Sequence, residues 1–350
     1  MRHAKYDPLF PVIALMLMLT ASRPAVARSE NIAFPGGAGG VTLAGTLTEP
    51  RGSGPFPAIV LVPGSGHYDR DETILGHKPF LVIASTLTRR GFVVLRYDKR
   101  GNHRSTGSYA RATTDDFASD ALAAVRFLET RRDVNRSRIG ILGQSEGGLV
   151  ASICAARNAR IAFIVLLGSP GLPGDKVLIW QTQALGDLAG EPPGMIAEGQ
   201  DLIRCAATIY SWPIARPDVS ACLWAHAATS AQEFRRSPQV AAWIKMLSSP
   251  WYRCFLTCDP ATSLRRVRCP VLALAGSLDK QVPPREDLDA IAAALKAAGN
   301  TDVTVALMPG LNHFLQPAKT GGTDEYGKIA TTIDPVALAK IGEWLEAHGR

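Results

Sequence analysis

Ile139-Gly140-Ile141-Leu142-Gly143-Gln144-Ser145-Glu146-Gly147-Gly148-Leu149-Val150 runs from an apolar stretch, through a serine flanked by glycines, into helix-forming residues. The pattern predicts a strand over 139–142, a tight turn carrying Ser145, and a helix over 146–157. Gly143 and Gly147 have a steric reason. The turn brings strand and helix so close that a side chain at either position would collide with its neighbour. Ser145 Oγ would then stand above the carboxyl end of the strand. Gly-x-Ser-x-Gly alone arises by chance in roughly one chain in six of this length, so the strand before it and the helix after it carry the reading. A helix N-cap serine is the competing interpretation.

Outward from this turn, strand and helix signals alternate. Residues 31–50 form two extended runs around a glycine-rich turn at 36–40, an opening β-hairpin. Strands are expected over 58–62, 92–97 and 161–167, and helices over 79–90 and 115–132. After a gap the rhythm resumes with strands over 271–275 and 303–307 and helices over 285–298 and 335–347, the last capped by Asp334 with Pro335 at its first position. Such alternation implies an α/β fold, a mostly parallel sheet flanked by helices on both faces. The gap opens at Ser169-Pro170-Gly171-Leu172-Pro173-Gly174, is helix-rich and holds five of the six tryptophans. It reads as an inserted helical cap over 171–262, between core segments 28–170 and 263–350.

The beginning of the chain differs. Arg2 and Lys5 precede an apolar run over 12–19, and Ala25-Val26-Ala27 follows with small residues where a signal peptidase reads. Residues 1–27 therefore read as a signal peptide and the protein as exported, periplasmic or secreted, with no stable membrane anchor after cleavage. The apolar run is too short for a permanent span. The formal net charge is +7, and cleavage after Ala27 would remove three positive charges and one negative, leaving +5. Lys and Arg are scattered rather than gathered with aromatics into a groove, which argues against a nucleic-acid partner. Six cysteines in an exported chain permit disulfides. Cys205, Cys222, Cys254 and Cys258 lie in the cap, where at most a local staple is expected. No Cys-x-x-Cys pair occurs, so no metal site is expected.

A serine nucleophile needs a general base, and the base needs an orienting group. On a sheet with this turn the chain order is serine, acid, histidine. His67, His77 and His103 precede Ser145, His226 sits in the cap, and His348 is at the end of the last helix. His313 remains, in a loop after a strand. The acid is Asp279, just past strand 271–275; Asp287 and Asp289 compete but fall inside the next helix and are expected to face solvent. An oxyanion needs backbone N–H donors. Those expected are Glu146 N–H and Ser65 N–H, the latter in Pro63-Gly64-Ser65-Gly66, where Gly64 and Gly66 permit close approach. Asp69-Arg70-Asp71-Glu72 lacks calcium-loop spacing and reads as solvated or internally paired. In Tyr97-Asp98-Lys99-Arg100-Gly101, Asp98 and Arg100 read as structural.

The Gly-Gln-Ser-Glu-Gly turn, the Pro-Gly-Ser-Gly loop followed by Asp-Arg-Asp-Glu, Tyr-Asp-Lys-Arg-Gly, and the Asp279 and His313 loops together resemble bacterial α/β-hydrolase serine esterases with a helical cap, which are related to serine aminopeptidase-like hydrolases. The resemblance covers most of the chain from about residue 43 and is strongest outside the cap. It implies an α/β-hydrolase fold, Ser145, Asp279 and His313 as a triad, no cofactor, and a small-molecule ester substrate with a short acyl or aryl group. One departure is visible: the group usually has a second glycine where this chain has His103. A peptidase acting on amides, a thioesterase and a catalytically silent binding protein are the rival readings.

Overall fold

The computed structural model describes residues 28–37, 39–211, 218–229 and 238–349. The leader read over 1–27 and Trp212 lie outside them. The described chain opens on the expected hairpin, β1 (Arg28–Pro35) antiparallel to β2 (Thr42–Glu49). Six strands follow: β3 (Phe56–Val62), β4 (Val93–Tyr97), β5 (Val134–Gln144), β6 (Ile164–Leu167), β7 (Val271–Gly276) and β8 (Val303–Met308). They form one sheet in the order β1-β2-β4-β3-β5-β6-β7-β8. β2 meets β4 antiparallel, and every pair from β4 to β8 is parallel.

The Val-, Ile- and Leu-rich strands β4, β6 and β7 are buried along their whole length, as strands covered on both faces must be. Their side chains divide between two layers by alternation. In β3, Ala58, Val60 and Val62 pack with the helices Thr114–Glu129 and Glu146–Arg157, while Ile59 and Leu61 pack with Pro79–Arg89 and Pro335–His348. Local signals set the helix ends. Thr113 and Asp116 form a reciprocal capping box, and Asp334 accepts from Val336 N at 2.8 Å. β5 starts at Val134 rather than 139, because Val134 pairs with Phe56. β6 is shorter than expected and begins at Ile164.

Between β6 and β7 the chain leaves the sheet through Gly174–Ala189, Pro193–Ser211, Val219–Thr229, Pro238–Leu247, Pro250–Leu256 and Ala261–Leu264, all helices. Pro250–Leu256, capped by Ser249, packs against Thr114–Glu129 and the turn Tyr109–Arg111, and so returns to the core. All six cysteines are free, and the staple allowed for in the cap is not formed. Cys254 and Cys258 are four residues apart at a helix end, where Cβ atoms stand about 5–6 Å apart, beyond the roughly 3.8 Å a disulfide requires. Among the described residues no helix is long and apolar enough to cross a membrane.

Candidate active site

β5 ends at Gln144, and the helix Glu146–Arg157 begins at once. Only Ser145 lies between them, at φ 53° and ψ −121°, backbone that a non-glycine residue rarely adopts. Its side chain makes no capping hydrogen bond, which removes the N-cap interpretation. The glycines explain how the turn is built. A Cβ on Gly143 would stand 1.9 Å from Gly147 O, and one on Gly147 would stand 2.0 Å from Val62 O. Ser145 N donates to Leu167 O at 2.7 Å, tying the turn to the end of β6.

The residue after Leu167 is Gly168, at φ 53°, where a Cβ would lie 3.1 Å from His313 Nδ1 and 3.3 Å from Asp279 Oδ2. The end of β6 thus lies against both the serine and the histidine–aspartate pair. His313 Nδ1 is 2.6 Å from Asp279 Oδ2, and both side chains are almost fully buried. Asp279 is held in turn by the N–H groups of Gln281 and Val282 on its other oxygen, at 2.8 and 3.0 Å. With Nδ1 engaged, Nε2 is the ring nitrogen left to act elsewhere. Gln144 binds the two sides together: its amide lies 3.5 Å from the His313 carbonyl, and its oxygen lies beside Gly64.

Gly64 lies so near the turn that a Cβ there would stand 3.2 Å from Ser145 Cβ. Gly64 N donates to Glu72 and Gly66 N to Tyr109 Oη, but Ser65 N and Glu146 N donate to no group among the described residues. The structure therefore gathers Ser145, His313, Asp279, Ser65 and Glu146 at the carboxyl edge of the sheet. Of the rival acids, Asp289 is exposed as expected, but Asp287 is buried. Its helix faces the start of the cap, and its carboxylate accepts from Gly171 N and Leu172 N. Burial pushes its pKa up to about 7 against the pull of those two hydrogen bonds.

Three buried side chains, Lys99, Glu146 and Glu72, also meet beside the site. Lys99 Nζ donates to Gly64 O at 2.7 Å and to Glu146 Oε2 at 2.9 Å. Glu146 Oε1 accepts from Thr114 Oγ1 at 2.8 Å and from the cap's Trp251 Nε1 at 2.6 Å. Glu72, expected in a solvated or paired loop, is wholly buried with one oxygen on Gly64 N at 2.8 Å and the other without a partner among the described residues. Burial raises its pKa to about 8, opposed by the Gly64 N–H and by Lys99. The rest of that loop is paired: Arg70 with Asp98 at 2.8 Å, and Asp71 with Arg96 and Lys78. Asp98 and Arg100 are structural as read, Arg100 binding Asp120. One signal for Lys99 was available, since this lysine stands two residues past a strand buried throughout.

His103 adopts φ 45°, the backbone region that favours glycine, so the turn keeps its shape with a histidine in place. A cavity of about 520 Å³ lies between the cap and the loop at 322–324 and is lined by Leu178, Leu185, Ile203, Trp243, Met246 and Tyr252 among others. None of Ser145, Asp279 or His313 lines it, but Tyr252 adjoins Trp251, which reaches Glu146. Among the described residues no group of three or more His, Cys, Asp or Glu side chains is placed to hold a metal ion.

Residues 78–316 match the family model described as serine aminopeptidase, S33. Esterase EstD of Thermotoga maritima is 29% identical over 306 residues, a stretch covering 87% of this chain and 65% of that esterase, so the match spans under two thirds of the relative. Among solved structures, the Pyrococcus furiosus esterase Pf2001 superposes with a TM-score of 0.56 at 15% identity, covering 93% of this chain and 94% of that one. The α/β hydrolase GrgF from a Penicillium species superposes with a TM-score of 0.57 at 18% identity, covering 92% and 99%. With the eight-stranded sheet and the glycine-flanked serine turn at its carboxyl edge, the family match leads to one conclusion: this chain belongs to the serine aminopeptidase (S33) family of α/β hydrolases.

Proposed function

We propose that the protein is a serine hydrolase that cleaves carboxylic esters with short acyl or aryl groups through an acyl-enzyme on Ser145. The observation that carries this reading is the strained Ser145 turn beside a buried His313–Asp279 pair at 2.6 Å. In the mechanism, His313 Nε2 takes the Ser145 hydroxyl proton as Oγ attacks the ester carbonyl. Asp279 stabilises the imidazolium that forms and holds the tautomer that leaves Nε2 basic. The carbonyl oxygen, now an oxyanion, accepts from the N–H groups of Ser65 and Glu146, which donate to no other group among the described residues. His313 returns the proton to the departing alkoxide. Water then attacks the acyl-enzyme by the same route and restores Ser145. We further propose, from the pattern of residues 1–27, that the protein is exported and acts outside the cytoplasm.

A second reading is hydrolysis of amides in short peptides, favoured by the family description and by Glu191 and Asp324 at the cap cavity. These are carboxylates of the kind a substrate's ammonium group would seek. A panel of 4-nitrophenyl esters of increasing acyl length against aminoacyl 4-nitroanilides separates the two. Esterase action predicts kcat/KM at least about 100-fold higher on acetyl or butyryl esters than on any anilide; the reverse order would replace it with the peptidase reading.

A further inference from the structure

Lys99 and Glu146 form an ion pair that is almost wholly buried, with side-chain exposures of 3% and 2%. Removing two charges from water costs several kcal/mol per ion, so such a pair is a poor device for stability alone. What it joins is specific. Glu146 bears one of the two unengaged N–H groups, and Lys99 also holds the carbonyl of Gly64. That carbonyl belongs to the same peptide unit as Ser65 N–H. The unit is planar and trans, so its C=O and N–H point in opposite directions. Fixing Gly64 O therefore aims Ser65 N–H the other way. Gly64 is also the residue whose added Cβ would touch Ser145 Cβ.

The rest of the environment holds the lysine in place. Its ammonium lies 3.9 Å from the centre of the Phe117 ring, a cation–π contact. Both oxygens of Glu146 are engaged: Lys99 donates to one, and Thr114 and the cap's Trp251 donate to the other. Trp251 is fixed by stacking on Phe255, with ring centres 4.9 Å apart. A continuous chain of charge-assisted bonds thus leads from the cap, through Glu146 and Lys99, to the peptide carrying Ser65 N–H.

Resting on the hydrolase reading above, we infer that Lys99, Glu146 and Trp251 are positioning residues that set the oxyanion donors and make their alignment depend on a seated cap. The test compares 4-nitrophenyl acetate with its thionoester, whose larger and weakly accepting sulfur draws little from N–H donors. In Lys99→Met/Glu146→Gln, which removes both buried charges together, kcat on the oxygen ester should fall about 100-fold with KM nearly unchanged. The oxygen-to-thiono ratio of kcat should shrink at least about 10-fold. Trp251→Phe keeps the stack and the ion pair and loses only the indole donor. It should lower kcat about 5- to 10-fold and shift the ratio in the same direction, and it decides the matter if the double variant does not fold. Equal losses on both esters, or unchanged kcat in Trp251→Phe, would overturn the inference while leaving the hydrolase reading intact. A wild-type protein that neither turns over the ester nor reacts at Ser145 would remove both.

Discussion

Glu72→Gln should make the protein's stability rise relative to wild type as pH increases. Glu72 is wholly buried, and burial moves its pKa from 4.5 to about 8 in the fold. Between those limits the unfolded chain has released the proton and the folded chain still holds it. The unfolded state binds fewer protons, so wild-type stability falls with rising pH across the window and levels off above it. At about 1.4 kcal/mol per unit, the pH 5 to pH 8 span corresponds to about 4 kcal/mol. Glutamine keeps an oxygen for Gly64 N–H, now 2.8 Å from Glu72 Oε1, and does not titrate. Its new N–H group replaces an oxygen that has no partner among the described residues, an offset independent of pH. Urea unfolding of both proteins at half-unit steps from pH 5 to 8.5 measures the difference, with every other titrating group common to the pair. A difference that stays flat, or that favours wild type more as pH rises, would rule out a Glu72 kept protonated by burial.

Other substitutions test other parts of the structure. Gly143→Ala places a Cβ 1.9 Å from Gly147 O, and should abolish the folded, soluble protein or cost at least about 3 kcal/mol by chemical denaturation. His103→Gly should stabilise by up to about 1 kcal/mol in the same assay, since left-handed backbone costs about 1–2 kcal/mol at a non-glycine residue and glycine's added chain entropy offsets part of the gain. Asp279→Asn leaves a neutral partner on His313 Nδ1 and should cut kcat about 10⁴-fold while KM stays within a few-fold, read by steady-state kinetics on 4-nitrophenyl acetate.

Much of this architecture was legible in the sequence, because it is written in short-range patterns. The run from Ile139 to Val150 carries a strand, a steric need for glycine and a helix start within a few residues, and the structure has them in that order. That Asp279 and His313 come together was legible because each lies in a loop that follows a strand at the same edge of the sheet. The buried network was not. Lys99, Glu146, Glu72 and Trp251 meet from four separate segments, and charged residues in a loop ordinarily face water. Glu72 shows the difficulty: nothing in Asp69-Arg70-Asp71-Glu72 distinguishes the one carboxylate that turns inward to bind Gly64 N. Asp287 escaped for a similar reason, since only the path of the cap's first residues over its helix makes it an acceptor.

The proposed mechanism makes Ser145 a nucleophile activated by His313. A fluorophosphonate probe followed by intact-mass measurement and peptide mapping tests it most directly. The prediction is one adduct per chain, on Ser145, formed at least about 10³-fold more slowly in His313→Ala. An adduct on another residue, no adduct at all, or labelling that is indifferent to His313 would contradict it.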